Sequence, residues 1–489
     1  MIVTSFFWKF CERSSVQFFQ FIIMLVIAAF LAPGAFGEIL LIMSIVLITN
    51  ICITGGLTLS LIQNIDSTEK DFSTLFYFNL IIATILYSLL FIISPIIAPF
   101  FDEINEFEVI IRVLGLLLFI SSFQVIQQAY VMKHQQFRSL CVSSIVAAFV
   151  AASIVLLTIS LGGGVWAFVA WHLAFNFFQM VILHIYIRWL PTTGFSFQSM
   201  RSIMGFGWKL TASSLIDSAY TNGQYIFIGN LFSPATLAFY NRGEQFPNLL
   251  INNLNSTLQS VLLPQLAKYQ HNRIDFKQFL RNSIATSSFI IFLLLFCLAT
   301  FADPLIKFLF QDSWLPLITY VQLFCFVFAF WPVHTIYLQA LNALGRSDLF
   351  LKLELLKKSL SIIVLVSVFP FGIKAVMISM GILSIGSLLI NGFPLKKLVG
   401  YSLMEQFRDI GPSFITSALL TVLMILLQTF LSTNVIFIMT TILVGIFLYI
   451  FIAKLLQLQG YLSIKAFLNQ LPTLYKEKII LRKKRLSNE

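Results

Sequence analysis

The stretch Thr74–Phe100, TLFYFNLIIATILYSLLFIISPIIAPF, decides the fold class. It runs 27 residues without one charged side chain. A bilayer core asks for about 20 apolar residues per helix, so this stretch is long enough to cross a membrane. Pro95 and Pro99 sit at its far end, and Asp102, Glu103, Glu106 and Glu108 follow at once. Similar apolar runs lie on both sides of it. The reading therefore extends outward to Val16–Ala32, Ile39–Leu59, Val109–Val131, Leu140–Leu161 and Val165–Ile187, which with Thr74–Phe100 make six spans. After a polar break at Arg188–Trp208, six more are expected at Lys209–Leu231, Phe246–Leu266, Ile284–Phe308, Pro316–Leu341, Phe350–Phe369 and Phe371–Ile390. A second break holds Lys396, Lys397 and Arg408, and two last spans lie at Ile410–Leu431 and Val435–Leu456. The expectation is an all-α polytopic membrane protein with about 14 transmembrane helices.

Composition agrees. The chain is 58% hydrophobic and 10% charged, with a mean hydropathy of +0.92. A soluble protein of this length cannot hide so much apolar surface. Its net charge of +11 could point to nucleic acid. The placement of the charge excludes that class. Of 31 Lys and Arg residues, only Arg112, Arg242, Lys307 and Lys374 fall near the junctions on one face, which leaves 27 on the other face or in the tails. Cytoplasmic loops hold Lys and Arg, so both termini are expected inside the cell, against anionic membrane lipids. Lys9 and Arg13 stand before the first apolar run, and Lys476, Lys478, Arg482, Lys483, Lys484 and Arg485 end the chain. Lys9 and Arg13 imitate a signal peptide, but further spans follow directly, so the first helix is expected to stay uncleaved. The charge pattern therefore sets the Lys- and Arg-rich face of the membrane toward the cytoplasm.

An internal echo divides the chain. Phe30-Leu31-Ala32-Pro33-Gly34-Ala35-Phe36-Gly37 ends the first span and Leu231-Phe232-Ser233-Pro234-Ala235-Thr236-Leu237-Ala238 ends the seventh. Gln128-Ala129 and Gln339-Ala340 each precede a basic turn. The two echoes are displaced by 201 and 211 residues. Six spans per half is an even number, so the halves share one orientation as parallel repeats. The expected domains are a six-helix bundle over 1–190, an interfacial linker over 191–208 with a short helix at Phe195–Phe206, a second six-helix bundle over 209–398, two added helices over 399–458, and a basic cytoplasmic tail over 459–489. The span Phe350–Phe369 carries Lys352, Glu354, Lys357 and Lys358, so its first half projects into the cytoplasm or lines a wet cavity.

Catalytic signatures are missing. No Walker loop and no Cys or His spacing for a metal occurs. Cys11, Cys52, Cys141, Cys297 and Cys325 are scattered and read as small buried hydrophobes. No resident cofactor is expected. Polar residues at membrane depth are what remain, and each costs about 2.5–3.5 kcal/mol at a helix centre. Lys9, Glu12 and Arg13, with Gln17 and Gln20, share a helix face, as a binding surface or as a basic flank anchoring the helix. Asp217 suits a proton or Na⁺ coupling site, or a partner for a cation. Arg242 and Glu244, followed by Asn252 and Asn253, suit a pyrophosphate or, equally, a surface ion pair. Gln124, Gln127, Gln128, His172, Asn176, Gln179, His184, His334 and Gln339 read mostly as hydrogen-bonding glue between helices. His334 lies beside Pro332, which should kink the tenth span, an arrangement that suits a gate.

Phe7-Trp8-Lys9-Phe10-Cys11-Glu12-Arg13, Leu31–Gly37, Asp71-Phe72-Ser73-Thr74-Leu75-Phe76-Tyr77-Phe78-Asn79, Phe239-Tyr240-Asn241-Arg242-Gly243-Glu244 and Gly345-Arg346-Ser347-Asp348 occur in order along nearly the whole chain. This series resembles the Wzx-type flippases of the multidrug/oligosaccharidyl-lipid/polysaccharide exporter superfamily, in the colanic or teichuronic acid exporter group. The resemblance implies a transporter and no enzyme. Its substrate would be an undecaprenyl-pyrophosphate-linked oligosaccharide repeat unit, turned from the inner to the outer leaflet by alternating access. It also implies a polymerase and a chain-length regulator as pathway partners. Lys9, Arg13 and Arg242 match the family by motif. Two other readings stand beside it: a drug or cation antiporter of the same superfamily, and a membrane-embedded enzyme of glycan assembly.

Overall fold

The computed structural model describes residues 2–63, 67–101, 106–430, 435–466 and 469. Asp102 and Glu103 of the acidic loop and the basic tail beyond Asn469 lie outside the described residues, as does the side chain of Asn253. Among the described residues no strand occurs. The helices are α1 Ile2–Phe30, α2 Pro33–Thr54, α3 Leu57–Gln63, α4 Glu69–Ile97, α5 Phe107–Gly115, α6 Leu117–Lys133, α7 Phe137–Ser160, α8 Trp166–Ile187, α9 Phe197–Leu231, α10 Pro234–Lys268, α11 Arg273–Leu309, α12 Leu317–Phe328, α13 Trp331–Ala343, α14 Ser347–Val368, α15 Ile373–Val399, α16 Leu403–Phe430 and α17 Val435–Leu455. Among the described residues ten stretches are long and apolar enough to cross a membrane, or up to eleven if a pair bent by 95° near Gln459 is one span. These make the chain a multi-pass membrane protein.

The difference from 14 has a chemical reason. Helices α9 and α10 have 35 residues each, about 52 Å at 1.5 Å per residue. They are longer than the hydrocarbon core, yet Asp217, Asn222, Arg242, Glu244 and the asparagines after it lower their hydropathy. Helix α14 carries Lys352, Glu354, Lys357 and Lys358 and falls short for the same reason.

Helix ends follow local chemistry. Pro33 occupies the first helical position of α2, where its fixed φ helps and its missing N–H costs nothing. Thr68 and Asp71 form a reciprocal capping box at the start of α4, with Thr68 N donating to Asp71 Oδ2 at 2.8 Å. Helix α15 stops at Gly400, whose φ of 71° ends the helix in the left-handed region. The tenth span is broken as expected: α12 ends at Phe328, and α13 restarts at Trp331 with Pro332 in its first turn. The fourth span is also broken, at Leu116.

One expectation is corrected. Phe195–Phe206 is no separate interfacial helix. Ser196 caps α9, accepting from Ser199 N, and the helix runs unbroken from Phe197 through the seventh span. Nothing in that sequence removes a backbone donor or forces a turn.

Contacts group the chain into one unit of residues 1–239 with 309–314 and another of 240–308 with 315–489. The seventh span thus belongs with the first unit, although 209 was expected to open the second bundle. Helix α9 packs closely on α2 and α3: a Cβ added at Gly56 would overlap Leu210, one at Gly207 would meet Leu57, and one at Gly229 would overlap Leu41. Small residues allow such approach where the hydrophobic effect between membrane helices is weak. The first unit has a core of Leu57, Leu61, Phe72, Leu75, Phe76, Ile126 and Trp189. In the second unit Phe289 and Phe296 of α11 pack with Leu420 and Met424 of α16 and Tyr449 and Ala453 of α17.

Candidate functional site

Within the first unit, Lys9 Nζ lies 2.9 Å from Glu12 Oε2, one turn along α1. Arg13 is exposed, Gln17 half-buried and Gln20 exposed. Arg138 of α7 stands over the Trp8 ring, 5.9 Å from its centroid. The start of α1 is therefore a cationic face with one internal carboxylate, and both Arg13 and the Lys9 side chain, 44% exposed, are accessible. Asp217 is exposed on α9, and Asn222, a turn later, donates to Ser218 O and Oγ.

Within the second unit, Arg242 is 5% exposed, and its Nη1 donates to Gln245 Oε1. This buried guanidinium differs from the surface position that an ordinary Arg–Glu pair would take. Glu244 and Asn252 are half-buried. Asn255, one turn beyond Asn252, is buried and accepts from Thr335 Oγ1 of α13 at 3.1 Å. His334 sits between two side chains of α15: Nε2 is 3.4 Å from Ser384 Oγ and Nδ1 is 3.4 Å from Asn391 Nδ2. These contacts tie the restarted half of the tenth span to α15. The structure thus brings Lys9 to Glu12, and divides the candidates: Lys9, Glu12, Arg13 and Asp217 in one unit, Arg242, Glu244, Asn252, Asn253 and His334 in the other. Among the described residues no group of three or more His, Cys, Asp or Glu is placed to hold a metal.

The glue reading holds for one chain of amides. Gln124 Nε2 donates to Gln179 Oε1, and Gln179 Nε2 donates to Ser144 Oγ at 2.6 Å, linking α6, α8 and α7. Arg112 is engaged on three sides: 3.0 Å from Glu108, 2.9 Å from Ser94 Oγ, and over the Phe91 ring.

Two clusters escaped the reading of the sequence. In the first unit the two proline motifs meet: a Cβ at Gly37 would overlap the Pro234 carbonyl. Trp314 is fully buried there, with Phe36, Phe239 and Phe310 rings 5.7, 5.8 and 5.4 Å away. Trp314 Nε1 donates to Leu31 O at 3.2 Å and Gln311 Nε2 to Ala29 O at 2.7 Å, closing the end of α1 under an aromatic plug. The motif echo was the available signal, but matching motifs do not say that they touch. In the second unit Arg281 grips Asp409 with two hydrogen bonds, 2.8 and 2.7 Å. Tyr401 Oη donates to the same carboxylate at 2.8 Å, and Lys277 lies 2.8 Å from Glu405. Arg281 and Asp409 each stand at the edge of an apolar run, which marks them as interfacial without saying that they pair.

Residues 26–319 match the family described as Polysaccharide biosynthesis protein, more than half of the chain. The chain belongs to this polysaccharide biosynthesis family. Its relatives include the Teichuronic acid biosynthesis protein TuaB of Bacillus subtilis (strain 168), 23% identical over 74% of this chain and 76% of that one. Another is the Succinoglycan biosynthesis transport protein ExoT of Rhizobium meliloti (strain 1021), 20% identical over 63% of this chain and 62% of that one. The fold is shared with the Lipid II flippase MurJ in an inward closed conformation, at a TM-score of 0.70, 13% identity, and 93% and 98% coverage of the two chains. It is shared also with an inward-facing multidrug resistance MATE transporter of the MOP superfamily, at a TM-score of 0.60, 15% identity, and 79% and 96% coverage. The stretch matched to the polysaccharide biosynthesis family contains both proline motifs, Asp217, Arg242, Glu244, Asn252 and Asn253. Lys9, Glu12, Arg13 and His334 lie outside it.

Proposed function

We propose that this protein moves a lipid-linked oligosaccharide from the inner to the outer leaflet of a bacterial cytoplasmic membrane by alternating access, for assembly of a surface polysaccharide. The observation that carries the reading is the buried guanidinium of Arg242, on a polar helix of membrane-crossing length, in a chain of the polysaccharide biosynthesis family. The names of TuaB, ExoT and MurJ supply the substrate class, and none of the three is named for a catalytic activity.

The physics asks little else of the protein. A sugar-pyrophosphate head cannot enter hydrocarbon, while an undecaprenyl tail can remain in lipid. Arg242 replaces water around the pyrophosphate with a forked, permanent cation. Arg13 and Lys9 meet the head at the entry side, with Glu12 trimming their charge. Asn252 and Asn253 offer hydrogen bonds to sugar hydroxyls. Asp217 takes the coupling ion, H⁺ or Na⁺, while Glu244 and the His334 contacts to α15 move with the gate. The aromatic plug around Trp314 is the closed outer end. Fourteen spans arranged as two six-helix repeats with two added helices, both termini in the cytoplasm, and association with a polymerase and a chain-length regulator complete the proposal. An exposed carboxylate on α9 also suits the second reading, a MATE-like cation antiporter.

Deleting the gene is expected to leave full-length lipid-linked repeat units on the inner leaflet. Arg242→Ala is expected to lower export at least tenfold, with the protein inserted at normal level. Equal distribution of repeat units between leaflets in the deletion strain, or dye efflux with normal polymer, overturns the reading in favour of the antiporter.

A further inference from the structure

A crevice of about 250 Å³ opens in the first unit between α4, α6 and the end of α8. Phe76, Phe123, Met180, Val181 and Trp189 form most of its wall. Three other facts give it character. It opens sideways, since the lining residues Phe123, Ile185 and Leu190 are 40, 63 and 60% exposed on a surface that faces lipid. Its volume falls below the roughly 300–1,000 Å³ of ordinary small-molecule pockets, so it is too small for an oligosaccharide head. Its wall also holds two polar side chains, the half-buried His184 and the buried Gln127; Gln127 is 4% exposed, and its Oε1 accepts no hydrogen bond among the described residues, from His184 or any other. A buried acceptor left without a donor is costly, and a hydroxyl-bearing ligand supplies one.

The chain at the crevice mouth is that of a membrane interface. Trp189 Nε1 donates to Glu69 Oε2 at 2.8 Å, which engages that carboxylate. Lys133 stands over the Phe72 ring at 5.5 Å, and Phe72 in turn touches Trp189. Arg188, between the lining residues Ile185 and Trp189 in the chain, is exposed and held at φ 53°. Against Glu69 and Asp71, this end carries Lys70, Lys133, Arg138 and Arg188, a cationic balance that attracts anionic headgroups.

We propose that the crevice binds a phosphatidylglycerol molecule of the surrounding bilayer, with one acyl chain against Phe76, Phe123 and Val181 and its phosphate at Arg188. The glycerol headgroup provides the hydroxyl donors that the Gln127 oxygen lacks. The inference needs only the membrane location and stands apart from the transport reading.

The test uses the full chain in nanodiscs with a photoreactive phosphatidylglycerol and a phosphatidylcholine bearing the same tail-borne diazirine. The expected result is labelling of the peptide containing Met180–Leu190 by phosphatidylglycerol, at least fivefold above phosphatidylcholine. Arg188→Gln, a surface change, should bring the two lipids level. Val181→Trp should remove the label while the thermal melt stays that of the unaltered protein; if it unfolds the protein, Arg188→Gln alone decides. Equal labelling by both lipids, insensitivity to Arg188→Gln, or displacement of the probe by equimolar polyprenyl phosphate each overturns the proposal.

Discussion

Arg281 and Asp409 show how a single pair can hold an element in place. The Asp409 side chain is 1% exposed and receives three hydrogen bonds, two from Arg281 and one from Tyr401. Removing one partner of a buried pair leaves an uncompensated charge and costs about 3–5 kcal/mol. Arg281→Ala is therefore expected to lower the melting temperature of the detergent-purified protein strongly, whereas Lys307→Ala, whose i,i+4 pair with Asp303 is exposed, should leave it unchanged. Equal melts would show that the Asp409 carboxylate finds water instead. Gly37 makes the complementary point. Its missing side chain is what admits the Pro234 carbonyl, so Gly37→Ala forces backbone apart, an overpacking cost of about 1–3 kcal/mol. A lower melt for Gly37→Ala, with Gly34→Ala unaffected because nothing lies within 4 Å of its added Cβ, checks this.

At the scale of the helix, the break in the tenth span tests the gating idea. Ala329 N–H turns to Phe326 O, three residues back, where α12 ends, and Pro332 in the first turn of α13 brings no N–H to continue the helix across the break. Pro332→Ala lets them join. The expected outcome is normal insertion with polymer export reduced several-fold, measured in the same cells. Unchanged export would leave the bend a packing feature. The continuous α9 teaches the opposite lesson. Its first turns alternate apolar and polar residues and look like a surface helix, but Ser196 caps them and Gly207 seats them on α3, so they extend a span. Sequence pattern reports the environment of each turn; it does not report whether two environments share one rod.

The whole chain makes its own prediction, through topology. The proposed even number of spans would put both termini on one side, and the distribution of Lys and Arg predicts that side to be the cytoplasm. A fluorescent protein fused after Glu489 should fluoresce in a bacterial host, and alkaline phosphatase fused there should be inactive. An active phosphatase would put the C-terminus outside the cytoplasm and overturn this topology.

Membrane class, the course of most spans and the break at Pro332 were readable from the residues in order; Pro33 and Pro234 mark the ends of the first and seventh spans in the sequence, and only the structure shows that each opens the next helix. Each depends on local chemistry: the length of an apolar run, the missing N–H of proline, the cost of a charge in hydrocarbon. The polysaccharide family was readable too, from short motifs in series. What needed the folded molecule was every relation across distance in the chain: Gly37 against Pro234, Trp314 under both, Asp409 in the grip of Arg281, Gln124 with Gln179, and α9 seated on the first unit. Many pairings of polar and small residues satisfy the same hydropathy pattern. Only three-dimensional packing, where backbones either approach or clash and each buried polar atom finds a partner, selects one of them.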